Sequence, residues 1–501
     1  MSETVHKSRP FHLKNKETIL IAVLSFVLVI LFQGLSTPKP FDDAYITYRY
    51  ARNLSSGLGF VYNPGERVLG TTTPLYTLML AAIAWIFNPE LIPKASQWIS
   101  IAADAINALL VFRLADWFFK DKRMAGLTSL VFLLHPFRLN VSAGGMETSL
   151  FLTALLVMYD RYYLGDRKYS SAVFAAIAVL IRPDAILAVF PLFVDWYIQD
   201  RHEALIGIVW SVILTLPWLI WATWYFGSPI PHSITAKIIT YKEPVGQAAF
   251  YLFTFLGTGT IGPYHSPIPI LAGLAFTAPA LAAGLMAMKR HRPHFIAMTV
   301  YPLLYAGVMI AVNPAMYFSW YYLPLLPGLL ITLFSVIWFL PISRIKIRLM
   351  MSAILAAVLL LIPAVLHQAH PGWPLSRARE TAFWSACRVV KENTSKEAVI
   401  LAPDIGVIGW CLEEASILDP IGLVSPQALR FSKDLPPDQL ISPQMIKDEK
   451  PDYIISLDQF IHSGIRQDEF FNQSYQIIYD KEVTIIDQTQ PLYIFKYLPD
   501  P

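Results

Sequence analysis

The sequence predicts a polytopic α-helical membrane protein that ends in a small α/β domain outside the membrane. Of its 501 residues, 55% are hydrophobic and only 15% are charged, and the mean hydropathy is +0.47. Soluble domains carry about 25% charged residues, and a soluble core cannot absorb so much apolar surface. The net charge of +3, without a basic stripe carrying interleaved aromatic residues, argues against a nucleic-acid partner.

Charge and length set the predicted topology. The first apolar run, Thr18 to Leu35, follows a basic segment, so the positive-inside rule places the N-terminus in the cytoplasm. The run 74–87 is too short for a comfortable span and is predicted to be interfacial or re-entrant. The run 172–198 must cross twice, turning at residues 182–184. About eleven crossings result, the others being 96–118, 124–138, 148–164, 204–226, 267–288, 294–312, 321–340 and 349–366.

We expect a membrane module over residues 1–369 and an extracytoplasmic α/β domain over residues 370–501, where charged and turn residues return. A helix is predicted over 377–391. Cys387 and Cys411 both fall in this domain, and two unpaired core thiols are favoured over a disulfide, which spacing alone cannot show. Strands are predicted at 398–402, 453–456, 475–479, 483–486 and 492–497.

The first predicted outer loop, residues 36–73, is the least lipid-like part of the membrane module. Apolar residues at helical spacing predict an amphipathic helix that lies along the membrane, with Asp42 and Asp43 at its N-terminus. An aspartate there commonly caps its helix. Of two adjacent acids, however, one can cap while the other acts in a cavity as a general base or a metal ligand. Asn-Pro-Gly after the helix predicts a hairpin between Phe60–Tyr62 and Arg67–Leu69.

Four further candidates lie in the other outer loops. Glu147 follows two glycines that permit close backbone approach, and it is either a first-turn acid of the next helix or a functional carboxylate. Arg182 and Asp184 either form an ion pair within their turn or leave Arg182 facing a lipid phosphate. Lys237 is a candidate anion clamp, because lysine is uncommon on the outer side.

Five more residues are candidates for a cavity. Asp104 lies about two turns inside the membrane, where an ionisable group usually faces a cavity or a partner. His135 is more commonly a neutral histidine bonding a carbonyl. His232 lies within the stretch 229–237 that leads to the outer lysine. Tyr321 and Tyr322 open a helix at the outer interface, where aromatic residues are more often membrane anchors.

Almost all flagged acids and bases fall on the outer side, whereas a transport path places charges through the whole membrane thickness. This distribution indicates chemistry at the outer surface on a substrate delivered from the lipid. No Walker motif is present, and Gly57-Leu58-Gly59 lacks the context of a nucleotide loop. The sequence therefore argues against an ATP-driven machine.

Taken together, the motifs resemble those of the GT-C superfamily of membrane glycosyltransferases. The similarity is to the bacterial branch that uses polyprenyl-phosphate sugars and includes arabinofuranosyltransferases, with protein O-mannosyltransferases and aminoarabinose transferases as more distant relatives. The matching segments are 42–46, 49–54, 63–68, 145–148, 182–184, 237, 320–322, 404–409 and 419–424.

The resemblance implies an integral membrane enzyme with catalytic acids in its first outer loop. Asp42 and Asp43 match the acidic pair of the family, and one would be the general base on the acceptor hydroxyl, with Asp43 favoured. Glu147 matches a second-loop acid that helps hold the acceptor or a metal. Arg182 and Lys237 would neutralise the leaving polyprenyl phosphate. Since some members use a divalent cation, one is possible here, with Asp42 and Asp43 as ligands.

The resemblance also implies direct displacement at the anomeric carbon, which inverts its configuration. The expected partners are a polyprenyl-phosphate sugar, membrane lipid, and an acceptor hydroxyl on a glycan, lipid or protein. The sugar is not encoded in any motif. Two alternatives stay open: a protein O-mannosyltransferase, and a non-catalytic binder or transporter of lipid-linked sugar.

Overall fold

The structure is a computed structural model of the chain, with an α-helical part followed by a C-terminal α/β domain. The residues that it describes are 27, 31, 39–165, 168–240, 246–258, 271, 273–291, 296–312, 318–369, 377–394, 397–432, 435–436, 439–485 and 488–498.

The helical part is built from fifteen labelled helices among the described residues, several of them short and joined by tight turns. They are α1 (Asp42–Ser55), α2 (Pro74–Ile86), α3 (Ile92–Phe119), α4 (Lys122–Leu134), α5 (Pro136–Ala143), α6 (Thr148–Leu164), α7 (Tyr169–Ile181), α8 (Ile186–Gln199), α9 (Arg201–Phe226), α10 (His232–Thr240), α11 (Gln247–Thr258), α12 (Ala278–His291), α13 (Ile296–Val312), α14 (Leu326–Trp338) and α15 (Ile345–Ala369).

Three segments of the described residues are long and apolar enough to cross a membrane: Pro89–Phe119, Arg201–Phe226 and Ile345–Val365. The bent pair α4 and α5 adds a fourth if it forms one span. In the most apolar windows of α9 and α15 only 11% of the residues are buried within the protein, as expected for lipid-facing helices. The count of about eleven crossings stays a prediction, and the apolar run 18–35 lies outside the described residues apart from 27 and 31.

Proline shapes three of the helical runs predicted from the sequence. The run 124–138 was expected to be one helix, but it bends by 50° between α4 and α5, where His135 is extended and Pro136 starts the second helix. The run 321–340 becomes helical only at Leu326, after short 3₁₀ turns. The prediction of two short helices over 172–198 is confirmed, since α7 and α8 meet at a 3₁₀ turn, Pro183–Ala185.

Helix α1 forms where the sequence predicts it, but its surroundings differ from the prediction. Ten of its fourteen residues are buried, because the C-terminal domain covers the helix instead of leaving it along a membrane surface. Tyr45 and Tyr48 of α1 pack about 6 Å, centroid to centroid, from Trp410 of that domain. The predicted hairpin after α1 is wrong: residues 60–69 have no strand, and the Asn63 side chain instead hydrogen-bonds to the backbone of Ile417 in the C-terminal domain.

The C-terminal domain contains one mixed five-stranded sheet in the order β2-β1-β3-β5-β4. The two pairs made by β1 are parallel, and the pairs β3/β5 and β4/β5 are antiparallel. The two predicted strands at 475–479 and 483–486 are one strand, and β2 was not predicted. The elements are β1 (Val399–Leu401), β2 (Ser416–Leu418), β3 (Tyr453–Leu457), β4 (Tyr475–Ile485), β5 (Gln488–Tyr497), α16 (Ala378–Asn393), α17 (Gly406–Cys411), α18 (Leu429–Ser432), α19 (Pro443–Glu449), α20 (Ser463–Arg466) and α21 (Glu469–Ser474).

A disulfide joins Cys387 of α16 to Cys411 of α17, which corrects the expectation of two unpaired thiols. The two helices pack side by side, and the Cα atoms of the cysteines are 6.3 Å apart, within the range of a disulfide. A separation of 24 residues in sequence does not reveal this packing. The bond fixes α17 at the end of the domain that faces α1.

Candidate functional site

A cavity of about 390 Å³ lies between the helical part and the C-terminal domain. Its wall is assembled from α1, the segment after α1, the start of α6, the turn between α7 and α8, α10, α13 and the turn before α14, with Leu423 from the C-terminal domain. Six residues predicted as site residues from distant parts of the sequence meet here: Asp43, Glu147, Arg182, Asp184, Lys237 and Tyr321.

The two adjacent acids of α1 point to different places. The Asp42 carboxylate is 2% exposed and accepts hydrogen bonds from the backbone amides of Gly406 (3.1 Å) and Val407 (2.8 Å) at the start of α17. Asp42 therefore caps a helix of the C-terminal domain, not its own helix. Asp43 is half-buried and lines the cavity. Of the predicted pair, only Asp43 has the position of a general base.

Burial changes the protonation of Asp42. Removal of its carboxyl group from water raises its pKa to about 7, against an ordinary value of 3.8. The nearby Arg379 and the Val407 amide act in the opposite direction, and the acids Asp404 and Asp43 add to the rise. Asp42 is therefore a buried structural acid that can hold a proton near neutral pH.

Two arginines of α1 hold the helix against the C-terminal domain. The Arg49 guanidinium donates to the carbonyls of Tyr62 (2.8 Å), Gly409 and Ala415 (2.8 Å). Arg52 donates to the carbonyl of Trp410 at 2.8 Å and lies over its ring. Because both side chains are buried, these bonds fix the rotation of α1 and thereby direct Asp43 into the cavity.

Glycine allows α17 to approach α1 closely. A β-carbon at Gly406 would overlap the backbone carbonyl of Asp42, and one at Gly409 would overlap the Tyr62 hydroxyl. Gly144 and Gly145 allow the segment before Glu147 to approach α1 and the residue before it, since β-carbons there would overlap the Phe41 ring and the Tyr48 hydroxyl, respectively. The prediction of close approach before Glu147 is confirmed.

Arg182 is held rigidly at the cavity wall. Its Nε and one terminal nitrogen bind both Asp184 carboxylate oxygens, at 2.9 and 2.6 Å, which is the ion pair within the turn. The other terminal nitrogen lies 3.6 Å from Glu147 Oε1, and that buried nitrogen has no hydrogen-bond partner among the described residues. The guanidinium also contacts the rings of Phe151 and Tyr321. The ion pair with Asp184 and the position of Arg182 in the cavity wall therefore occur together.

Glu147 and Lys237 complete the charged lining. Glu147 is 4% exposed, and although it stands at the N-cap of α6, its side chain makes no capping bond and faces Arg182. Lys237 is half-buried, 5.0 Å from the Phe318 ring centre, and no described carboxylate forms an ion pair with it. Lys237 is thus a cation of the cavity whose charge is available to an anion.

Four predicted cavity residues do not line this cavity. Asp104 is completely buried in an ion pair with Arg138, which satisfies its need for a partner. His135 is buried at the bend between α4 and α5. His232 starts α10, its amide donating to the Leu69 carbonyl at 2.8 Å. Tyr322 is buried against Phe255, 5.2 Å between ring centres.

Sequence reasoning missed other parts of the wall. Tyr305 of α13 lines the cavity, and its buried hydroxyl has no partner among the described residues. Thr47, Thr71 and Thr73 line it with hydroxyl groups. The threonines carried no distinctive spacing, whereas a tyrosine within an apolar membrane run such as 294–312 could have drawn attention to Tyr305.

The described residues do not fit a metal site. No three His, Cys, Asp or Glu side chains among them converge to hold an ion. Both Asp42 oxygens are occupied by amides of α17, and Asp184 and Glu147 are neighbours of the Arg182 cation. The predicted pair Asp42 and Asp43 therefore does not act together as metal ligands in this arrangement.

Known proteins similar to this chain include an arabinofuranosyltransferase and crystal structures of ArnT. Residues 375–494 match a family described as a domain of unknown function, DUF8728. The chain is 23% identical over 279 residues to the terminal beta-(1->2)-arabinofuranosyltransferase of Mycobacterium tuberculosis (strain ATCC 25618 / H37Rv). That match covers 51% of this chain and 42% of the relative, so the chain matches less than half of the relative's length.

Two crystal structures of ArnT from Cupriavidus metallidurans superpose on almost the whole chain. The one bound to undecaprenyl phosphate has a TM-score of 0.58 and 11% identity, covering 96% of this chain and 98% of that chain. The apo structure gives a TM-score of 0.57 and 12% identity, with 96% and 97% covered. The chain therefore shares the overall fold of these ArnT structures, and the resemblance predicted from its motifs is confirmed at the level of the fold.

Proposed function

We propose that this protein is a membrane glycosyltransferase that moves a sugar from a polyprenyl phosphate to an acceptor hydroxyl. One observation carries the proposal: Asp43, Arg182 and Lys237 share a single cavity next to the helical bundle. A carboxylate and two cations are the groups that this reaction needs, one to take a proton and the others to stabilise a phosphate. The name of the arabinofuranosyltransferase supports transfer of a sugar, and the ArnT structure bound to undecaprenyl phosphate supports a polyprenyl-phosphate ligand.

In the proposed reaction the acceptor oxygen attacks the anomeric carbon while the bond from that carbon to the phosphate oxygen breaks. Asp43 takes the hydroxyl proton. The electron pair of the breaking bond leaves with the polyprenyl phosphate, whose charge Lys237 and the free N–H groups of Arg182 stabilise. A single displacement of this kind inverts the anomeric configuration. Asp184 and Glu147 are positioning residues that hold the guanidinium.

We further propose that the reaction occurs at the outer face of the membrane, with the N-terminus cytoplasmic and the C-terminal domain extracytoplasmic. The basic N-terminal segment and the position of the cavity beside the C-terminal domain support this orientation. A reporter fused after Pro501 should be active only outside the cytoplasm. Activity of the reporter in the cytoplasm would overturn the orientation.

The acceptor is proposed to be a hydroxyl of a cell-envelope glycan or lipid. Transfer to a peptide Ser or Thr would instead identify a protein O-mannosyltransferase-like enzyme. Binding of lipid-linked sugar without turnover would identify a binder or transporter.

The test uses the full chain in lipid nanodiscs with radiolabelled sugar on undecaprenyl phosphate. Mass spectrometry of lipid that co-purifies with the protein identifies the donor to supply. We expect labelled sugar to move onto a glycan or lipid extract, with inverted anomeric configuration by NMR. Retained configuration would contradict the single displacement, and no transfer with any lipid-linked sugar and acceptor class would contradict the activity.

A further inference from the structure

Three threonine hydroxyls form a cluster on the cavity wall. The Oγ1 atoms of Thr47 and Thr71 are 3.3 Å apart, those of Thr47 and Thr73 are 3.3 Å apart, and those of Thr71 and Thr73 are 3.1 Å apart. All three residues are nearly buried and all line the cavity. Thr47 lies four residues after Asp43, one turn along the same face of α1. The hydroxyl cluster is therefore adjacent to the proposed general base.

The conformation of this segment favours the cluster over ordinary uses of threonine. Thr73 is the N-cap residue of α2, where a threonine hydroxyl commonly accepts a bond from the first turn, yet its side chain makes no capping bond. The segment before it is clamped by Tyr50, whose hydroxyl donates to the Val68 carbonyl (2.6 Å) and accepts from the Gly70 amide (2.8 Å). The segment that carries Thr71 and Thr73 is thus held in place by its surroundings, and both residues line the cavity.

Counting donors and acceptors shows what the cluster can bind. Each hydroxyl supplies one proton and two lone pairs, giving three donors and six acceptor positions. Three mutual bonds use three donors and three acceptors, and the Thr73 amide takes one more acceptor of Thr71 at 3.3 Å. Two acceptor positions are left over, and hydroxyl rotation can also free a donor. An uncharged surface with both functions matches a polyol better than it matches a phosphate.

We propose that Thr47, Thr71 and Thr73 form the subsite that binds the ring hydroxyls of a sugar during transfer. The proposal rests on the proposed function, and it assigns the sugar and the phosphate to different parts of one cavity. The phosphate is bound by Lys237 and Arg182, and the sugar by the threonine cluster beside Asp43. The sugar can be that of the donor or that of the acceptor, which the experiment separates.

The experiment compares Thr71→Val with Thr71→Ser in the full chain in nanodiscs. Valine keeps the shape and removes the hydroxyl, whereas serine keeps the hydroxyl. The probes are undecaprenyl phosphate alone and undecaprenyl phosphate carrying mannose, glucose or arabinofuranose, without acceptor. We expect the valine variant to bind the preferred lipid-linked sugar about 3- to 10-fold more weakly, since one neutral hydrogen bond contributes about 0.5–1.5 kcal/mol. Binding of undecaprenyl phosphate alone should stay unchanged, and serine should restore the affinity.

The control is Thr128→Val, because the buried Thr128 hydroxyl bonds to the Met124 carbonyl of its own helix and Thr128 is not among the residues that line the cavity. If Thr71→Val weakens binding of the lipid-linked sugar but not of undecaprenyl phosphate, the cluster is a donor subsite. If donor binding is unchanged and the KM of the acceptor rises, the cluster is an acceptor subsite. The subsite is overturned, and the proposed function stands, if the valine variant keeps both its lipid affinity and its acceptor KM. The same conclusion follows if its affinity falls equally for the lipid with sugar and the lipid without sugar. A wild-type protein that binds neither lipid overturns both.

Discussion

The two sides of helix α1 use charge in opposite ways. On the side of the C-terminal domain, Asp42 and Arg49 are bound by backbone amides and carbonyls of that domain. On the cavity side, Asp43 and Lys237 face open space, and Arg182 keeps a nitrogen without a hydrogen-bond partner among the described residues. Charged groups with satisfied partners hold the fold, whereas charged groups left available at a cavity can bind and react.

The largest effect is expected when the acid on each side of α1 is replaced, in turn, by asparagine. We expect Asp43→Asn to lower kcat by about 10²- to 10⁴-fold, because an amide cannot take the acceptor proton. Affinity for the lipid-linked sugar should be kept. The matched variant Asp42→Asn should retain more than a tenth of the activity, since its oxygen can still accept a bond from α17. Initial rates in nanodiscs measure both, and equal losses would remove the distinction between the two acids.

The next test removes a cation from the interface. Arg49→Met should lower the free energy of unfolding by about 3 kcal/mol, because buried carbonyls of Gly409 and Ala415 lose a charged donor. The control Arg388→Met alters an exposed side chain of α16 and should change stability by less than about 0.5 kcal/mol. Thermal unfolding followed by circular dichroism measures the difference. An Arg49 variant as stable as the control would contradict the anchoring role.

Removing a cation of the cavity should weaken substrate binding and leave stability unchanged. Lys237→Ala should raise KM for the lipid-linked sugar about tenfold, because a charge-assisted bond to the phosphate contributes about 1.5–3 kcal/mol and water replaces part of it. Its stability should stay within about 0.5 kcal/mol of the wild type. Lys289→Ala, on the exposed end of α12, is the control for total charge. An unchanged KM would show that Lys237 does not bind the donor.

The last expected effect is a pH dependence of stability from Asp42, which is small for each pH unit. Its folded pKa of about 7 exceeds the ordinary 3.8, so between these values the folded state holds a proton that the unfolded state releases. Stability should therefore fall as pH rises from about 4 to 7, by about 1 kcal/mol per pH unit, against a limit of about 1.4 for one proton.

The variant Asp42→Asn isolates this contribution. Asp419, whose pKa burial raises to about 6, acts in the same direction in both proteins, so the difference in slope reports Asp42 together with its electrostatic effect on the neighbouring Asp404. We expect a shallower decline of unfolding temperature between pH 5 and 7 in the variant. Identical slopes would show that Asp42 is ionised in the fold throughout this range.

Much of the candidate site followed from residue type and loop position. Charged residues are scarce in this sequence, and a charged residue in a membrane protein usually has a partner or a function. The acidic pair, Arg182 in its turn and Lys237 in its loop could therefore be recognised as candidates. The split of the acidic pair was not recognisable, since Asp42 and Asp43 differ only in what packs against them. The hydroxyl cluster was hidden for the same reason, because threonine is common in loops.

Some features of the fold could not be predicted from local sequence patterns. Pro136 broke a run that hydropathy presents as continuous, and β2 is only three residues long, too short for a periodic pattern. The Cys387–Cys411 bond depends on how α16 meets α17, which no spacing in the sequence specifies.

The sequence by itself indicated a membrane protein, the positions of many of its helices, and which scarce charges are candidates for chemistry. Hydrophobicity and charge are properties of each residue, so they can be read without knowing neighbours. Only the tertiary structure decided that Asp42 serves the interface while Asp43 serves the cavity, and that Arg182 is held by Asp184 beside Glu147. Those outcomes depend on contacts between distant segments, which exist only once the C-terminal domain has packed onto α1.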